Sequence, residues 1–325
     1  MEAVGSYGAG RMDHKTLSRI EKSALPGPGT CSAMFTANTM SSALEALGIA
    51  PPGTASRPAV DRKNRVTREK IQDVDTAVDL LFAMMRNRLH SRDILTREAF
   101  ENAIAVVFAL GGSTNAVLHL LAIAREAEVD LDIEDFNRVG RRVPLLSNLS
   151  PHGRYHMSDL DNIGGVPVVM KELLEEGFLH GDCMTVTGRT VRENLSDVPS
   201  LKRSQDVIFP VGSPFAPPGK HLTIVNGSLA PDSAVVKLSG KQTQFFEGTA
   251  VCFDDEDAAY EGIMRGDVVK EGSVVVIRYE GPKGAPGMPE MLSPSSALVG
   301  VGLGENVALV TDGRFSGAST FSPQF

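Results

Sequence analysis

Three cysteines in 325 residues, Cys31, Cys183 and Cys252, are too few and too scattered for a disulfide framework, and their odd number leaves at least one thiol unpaired. A reducing compartment suits such a chain. It also lacks a basic excess: 32 Lys and Arg stand against 40 Asp and Glu, a formal charge of -8, so nothing electrostatic favours a polyanion such as nucleic acid. Long apolar runs are missing as well. The run at 103–110 falls far short of the roughly 20 residues that cross a bilayer, and no basic-then-apolar leader follows Met1. Neither an internal repeat nor a low-complexity tract is visible. The expectation is a soluble globular protein with no nucleic-acid partner and no membrane partner.

What is present fits that class. With 42% hydrophobic and 22% charged residues, the chain can bury a sizeable core and is long enough for two domains. Its 32 glycines and 19 prolines gather in short signposts, GPGTC, LGGST, NIGGVP and EGPKGAPGMPEM, which implies tight specific loops between periodic segments.

The first part reads as helical. A helix is expected over 36–47, stopped by Gly48 and Pro51-Pro52. Over 68–89, Ile71, Val74, Val78, Leu81, Met85 and Leu89 recur at three- and four-residue spacings, and Thr96 is placed to cap a second helix running to about Leu110. Further helices are expected over 115–126 and 168–176. Beyond about residue 200 the texture changes to β-rich runs, at 222–226, 234–238, 248–253, 273–279 and 306–311, with one helix at 257–265. The stretch 199–218 reads as the linker.

Among residues able to carry chemistry, Cys31 lies in a Gly-rich loop just before a helix start, where free N–H groups would favour a thiolate and hence a metal ligand. The bland alternative is a small cysteine packed under a loop. Cys183 and Cys252 sit in apolar, strand-like surroundings and read as core residues. Glu290, in the Gly- and Pro-rich loop after a strand, is either a hard oxygen ligand for a cation such as magnesium or a solvated carboxylate. Ser316, in the turn that follows the 306–311 strand, is a nucleophile, a base or a turn residue. No histidine is placed to activate it: His152 and His156 lie in a polar loop and His119 in an apolar helix, which argues against a hydrolase triad. The LGGSTN turn, able to offer N–H groups to an anion, and the polar residues Asp159, Asp161 and Asn162 are weaker signals.

Five segments, GPGTCSAMFTANTMSSALEALG, FALGGSTNAVLHLLAIA, VPLLSNLSPHGRYHMSDLDNIGGVP, VIRYEGPKGAPGMPEMLSPSSAL and ALVTDGRFSGAS, resemble in order the signatures of the dihydroxy-acid and sugar-acid dehydratase family. The resemblance runs over about 2–319, and TANTM is more similar to the dihydroxy-acid branch than to the phosphogluconate branch. It implies an α/β fold: an α/β domain over 1–200, helix-rich and layered, then a β-barrel-like domain over 201–325. It implies dehydration of a 2,3-dihydroxy acid to a 2-keto acid in valine, isoleucine and leucine biosynthesis, and a homodimer for intact members. By resemblance, Cys31 matches one of three cysteines of an iron-sulfur cluster, of the 2Fe-2S type sooner than 4Fe-4S, Glu290 matches a magnesium ligand and Ser316 the catalytic base. In that scheme the iron acts as Lewis acid on the departing C3 hydroxyl, magnesium holds the carboxylate and C2 hydroxyl, and the serine takes the C2 proton.

The chain also departs from the family pattern. The stretch carrying the other cluster cysteines and the remaining magnesium ligands has no counterpart here, and the family continues past Ser319, so both domains are expected to be incomplete and the chain alone inactive. Cys183 and Cys252 do not sit in cluster motifs. Two alternatives accompany the main reading: a sugar-acid dehydratase, or a non-catalytic fragment that associates with an intact subunit. Cytoplasm, mitochondrion and plastid are not distinguished.

Overall fold

The structure is a computed structural model that describes residues 2–25, 27–238 and 245–316. In chain order the elements begin with helices α1 (Glu2–Gly8), α2 (His14–Ala24), α3 (Thr36–Ala46), α4 (Arg68–Asn87), α5 (Ser91–Ile94), α6 (Arg97–Leu110) and α7 (Asn115–Glu126). There follow α8 (Glu134–Gly140), α9 (Met157–Asn162), α10 (Gly165–Glu175) and α11 (Val191–Leu195). The remaining part alternates: β1 (Leu222–Val225), β2 (Ala234–Lys237), β3 (Thr249–Phe253), α12 (Glu256–Arg265), β4 (Ser273–Ile277), α13 (Leu292–Gly300) and β5 (Ala308–Thr311). The chain divides into two compact units, one of residues 27–224 and one of residues 1–26 with 225–325.

The 27–224 unit is built on α6. Its start is set by Thr96, whose side chain accepts from the Ala99 N–H, and its end by Gly111 in the left-handed region at φ 71°. Residues 102–110 are all buried, so α6 is apolar all round and serves as the axis against which α3, α7 and α8 pack. The segment 199–218, expected as a linker, is instead packed into this unit. Leu201, Val207, Ile208 and Ala216 are buried, and isolated bridges join Leu145 to Ala216 and Ser147 to Ile208.

The other unit holds a parallel three-stranded sheet in the order β3-β4-β5, with Val251 opposite Val275 and Val276 opposite Val310. α12 makes the crossover from β3 to β4, and α13 the crossover from β4 to β5, which is the connection parallel strands require. Val275, Ile277 and Leu309 of the sheet join Ile263, Leu298, Met291 and Phe315 in one apolar core. α1 crosses α13 at a contact of small residues, where the Gly5 N–H donates to the Ser296 hydroxyl at 3.0 Å. Among the described residues the sheet of this unit is open, with no closed barrel. The second half is α/β, not the strand-dominated body its β-rich runs suggested, since α13 was not foreseen.

Candidate functional site

Within the 27–224 unit, two Gly- and Ser-bearing loops that are far apart in sequence, 111–114 and 150–157, converge on the Cys31 segment and the helix that follows it. The Met34 N–H donates to the Ser150 carbonyl at 2.8 Å and the Met157 N–H to the Ser32 carbonyl at 2.7 Å, so the SPHG loop and the start of α9 bracket 31–34 from both sides. Asn38, buried on the first turn of α3, donates through Nδ2 to the carbonyls of Cys31 and Ala33, both at 2.6 Å, while its Oδ1 accepts from the Thr30 hydroxyl at 3.1 Å. The same helix is tied to the GGST turn. The Ser113 N–H donates to Thr39 Oγ1 at 3.0 Å, Asn115 Nδ2 donates to Thr36 Oγ1 at 2.8 Å, and the Thr36 and Ser113 hydroxyls lie 3.1 Å apart. Gly111 fits because His152 lies against it: a Cβ there would stand 2.1 Å from the imidazole.

This geometry corrects one expectation about Cys31. α3 begins at Thr36 with Phe35 as its cap, so the free N–H groups of the helix start lie several residues beyond the thiol. Burial is the larger influence and pushes the Cys31 thiol above its ordinary value, although the amides of Cys31 and Ala33 pull it down. Cys183 is raised further, to about 11, chiefly by burial and by the Glu98 charge. Cys252, expected in the core, is exposed on β3, the edge strand of its sheet.

The second constellation lies in the other unit, at the C-terminal ends of β4 and β5, where parallel sheets ordinarily present their functional loops. The loop after β4 and the turn after β5 are laced together. The Arg314 N–H donates to the Pro289 carbonyl at 3.0 Å, and the Ser316 N–H donates to the Glu290 carbonyl at 3.1 Å. The Arg314 guanidinium donates to the carbonyls of Met288 at 2.7 Å and Gly287 at 3.1 Å, and lies 3.4 Å from a Glu290 carboxylate oxygen. At the base of the loop, the Glu280 N–H donates to Asp312 Oδ1 at 2.9 Å, and Glu280 Oε1 accepts from the Glu256 N–H at 2.6 Å. Met291 and Phe315, each the neighbour of a candidate residue, are buried in the sheet's core and anchor Glu290 and Ser316. Tyr279, Met288 and Met291 have φ of 64°, 50° and 48°, a clustering of left-handed non-glycine residues of the kind that marks a functional loop. Arg314 is thus a structural member of this site whose clamp on the 287–290 loop the sequence did not reveal.

Glu290 and Ser316 are therefore brought together within one unit, and Cys31 has its own set of converging loops in the other. An iron-sulfur cluster takes several thiolates, and a magnesium ion takes several oxygens. Among the described residues no three His, Cys, Asp or Glu side chains converge to hold a metal ion. The residues present therefore do not fit a complete cluster site or a complete magnesium site; Cys31 offers one thiol, and the Glu290 carboxylate faces a guanidinium. No helix among the described residues is long and apolar enough to cross a membrane.

Two family models match the chain. The N-terminal region of the dihydroxy-acid/6-phosphogluconate dehydratases matches residues 1–194, and the C-terminal region of the same family matches residues 206–323. Among curated relatives, a dihydroxy-acid dehydratase of Methylococcus capsulatus is 52% identical over 318 residues, which are 98% of this chain and 55% of that protein. Dihydroxy-acid dehydratases of Acidothermus cellulolyticus and Mycobacterium leprae are 55% identical over 323 residues and 53% over 320, with the same coverage of 98% and 55%. The chain spans about half the length of the curated relatives it matches. With the loops around Cys31 and those joining Glu290 to Ser316 all falling inside the matched regions, the chain belongs to the dihydroxy-acid/6-phosphogluconate dehydratase family.

Proposed function

We propose that this chain supplies part of a dihydroxy-acid dehydratase, a hydro-lyase that removes water from a 2,3-dihydroxy carboxylic acid to give a 2-keto acid in branched-chain amino-acid biosynthesis. The observation that carries this reading is the direct backbone hydrogen bond between Ser316 and Glu290, which joins two family signatures at the ends of adjacent parallel strands. Ser316, deprotonated to its alkoxide, is the group proposed to accept the C2 proton of the substrate and so return to the hydroxyl form. Departure of the C3 hydroxyl then leaves an enol, which tautomerises to the keto acid. Arg314 keeps the loop that carries Glu290 in place beside the serine.

The cofactors proposed for the complete protein are an iron-sulfur cluster, two-iron in preference to four-iron, with Cys31 as one ligand, and magnesium with Glu290 as one ligand. Among the described residues neither site is complete, and the isolated chain is proposed to be inactive. A domain division at residue 200, a barrel-like closure of the second domain and a homodimeric assembly belong to the same proposal. The test is turnover of 2,3-dihydroxyisovalerate, by this chain alone and by this chain combined with the remainder of the family sequence, after addition of iron, sulfide and magnesium. Activity only in the combined sample, lost in Ser316→Ala, is expected. Turnover by the chain alone overturns the incompleteness, and turnover retained in Ser316→Ala overturns the role of the serine.

A further inference from the structure

α4 is twenty residues long and none of them is buried. Along one face Ile71, Val74, Val78, Leu81, Phe82 and Met85 are 48% to 66% exposed, and among the described residues no other helix or strand packs extensively along it. The spacing is that of a stripe made to pack, yet the stripe faces outward while Leu80, Ala83 and Met84 on the opposite side are half-buried. The helix is nevertheless held firmly at both ends. Thr67 caps its start by accepting from the Lys70 N–H, Arg57 and Lys70 pair with Asp73, and Arg88 closes the far end in the left-handed region at φ 56°. Six large apolar side chains on a helix about 30 Å long form one contiguous exposed stripe, the kind of patch that marks an interaction site.

The charges beside the stripe select its occupant. At 3.6 residues per turn, Arg68, Asp75, Asp79 and Arg86 share one flank and read basic, acidic, acidic, basic along the helix. That order is the same from either end. An antiparallel two-fold pairing with a second copy would set acid against acid at the centre and base against base at the ends, and a parallel pairing would align the two helix dipoles side by side. An acidic centre is also wrong for an anionic lipid surface, which attracts helices with basic polar faces. The relatives, meanwhile, contain a little under half their length with no counterpart in this chain.

We infer that the α4 stripe is the docking face for an amphipathic helix from that unmatched remainder of the family sequence, one whose own apolar stripe is flanked by basic residues opposite Asp75 and Asp79. The inference rests on family membership and not on the proposed activity, so a failed assay of turnover leaves it standing. The recognition mode is a helix laid along a helix, with the apolar stripe giving affinity and the acidic pair giving register.

The experiment uses the full chain and, as probe, the segments of the Methylococcus capsulatus relative that lie outside its match, mixed and followed by light scattering and titration calorimetry. The chain alone is expected to be a monomer and to bind the probe one to one. The double variant Val78→Asp/Leu81→Asp, whose native side chains are exposed so that folding by circular dichroism is retained, is expected to bind at least about tenfold more weakly. Asp75→Lys/Asp79→Lys is expected to weaken binding at low salt, with the difference shrinking as salt rises. A dimer of the chain alone that the aspartate variant dissociates, absence of any complex, or a complex indifferent to both variants each overturns the inference.

Discussion

The Ser316 amide donates to the Glu290 carbonyl at 3.1 Å, so two residues separated by a helix and a strand share one short rung of backbone pairing. This rung continues through Arg314, whose amide donates to Pro289 and whose guanidinium reaches Met288, Gly287 and Glu290. A small chain displacement at 314 therefore moves both candidate residues together.

Arg314→Gln is expected to loosen 287–290 while the sheet below survives. The Arg314 side chain is 23% exposed and its guanidinium bonds mostly to carbonyls, so its loss is expected to cost about 1.5–3 kcal/mol, the range for hydrogen bonds to charged groups. Hydrogen exchange resolves the effect: amides of Gly287, Met288, Glu290 and 314–316 should exchange faster, with those of β4 unchanged. Uniform acceleration across the sheet would show that Arg314 supports the whole unit and not the loop.

Asn38→Leu is expected to free the Cys31 segment, because one side chain holds the Cys31 and Ala33 carbonyls and accepts from Thr30. Alkylation of Cys31, followed by peptide mass spectrometry, should accelerate about tenfold, the ratio that roughly 1.4 kcal/mol of lost anchoring gives. Cys183 is the internal control. It lies near the start of α6, among Thr96, Glu98 and Asn102, and its rate should stay unchanged.

How far these arrangements could be read from the sequence depends on the range of the interactions that make them. α6 and α7 were legible at nearly their observed bounds because their determinants are local: the Thr96 cap, the Gly111 stop and the apolar run between. α13 escaped because it follows a Gly- and Pro-rich loop and carries Pro294 in its first turn, a position where proline is tolerated but which reads as a breaker. Without α13 the runs at 273–279 and 306–311 looked like neighbours in a β-rich body, although they are parallel strands joined by a crossover. Periodicity identified α4 as amphipathic, but it carries no information on what covers the apolar face. The same holds for the site. Cys31, Glu290 and Ser316 stood out in their motifs, whereas the Asn38 and Arg314 clamps are tertiary and leave no local pattern.

The α1 and α13 crossing predicts a steep cost for any side chain at Gly5. A Cβ there would stand 1.9 Å from the Ser296 carbonyl oxygen, and one at Gly300 would stand 2.2 Å from the Gly5 carbonyl carbon, both contacts with backbone that cannot rotate away. Gly5→Ala is expected to destabilise by about 1–3 kcal/mol through overpacking, despite the better helix propensity of alanine. Urea unfolding measures it. An equal or higher midpoint in Gly5→Ala would show that α1 does not sit on α13 in solution.

Glu45 predicts a pH dependence of opposite sign to the usual carboxylate. Its side chain is buried, and burial raises the carboxyl from 4.5 to about 7, although the Gly53 and Ala55 N–H groups, accepted at 2.7 and 3.1 Å, and the Arg57 charge pull it down. The folded value therefore lies above the unfolded one. Protons bind the folded state more readily, so the contribution of Glu45 to stability is fully present below about 4.5 and is lost as pH rises to about 7. At 1.36 kcal/mol per pH unit the swing is about 3 kcal/mol. Glu45→Gln, which stays neutral throughout, should unfold with a flatter stability profile between pH 4.5 and 7 than the native chain, and the two curves should run parallel above pH 8. A native profile no steeper than that of the glutamine variant in that window would mean that the carboxylate is already ionised at pH 5, with the two N–H donors and Arg57 outweighing the burial.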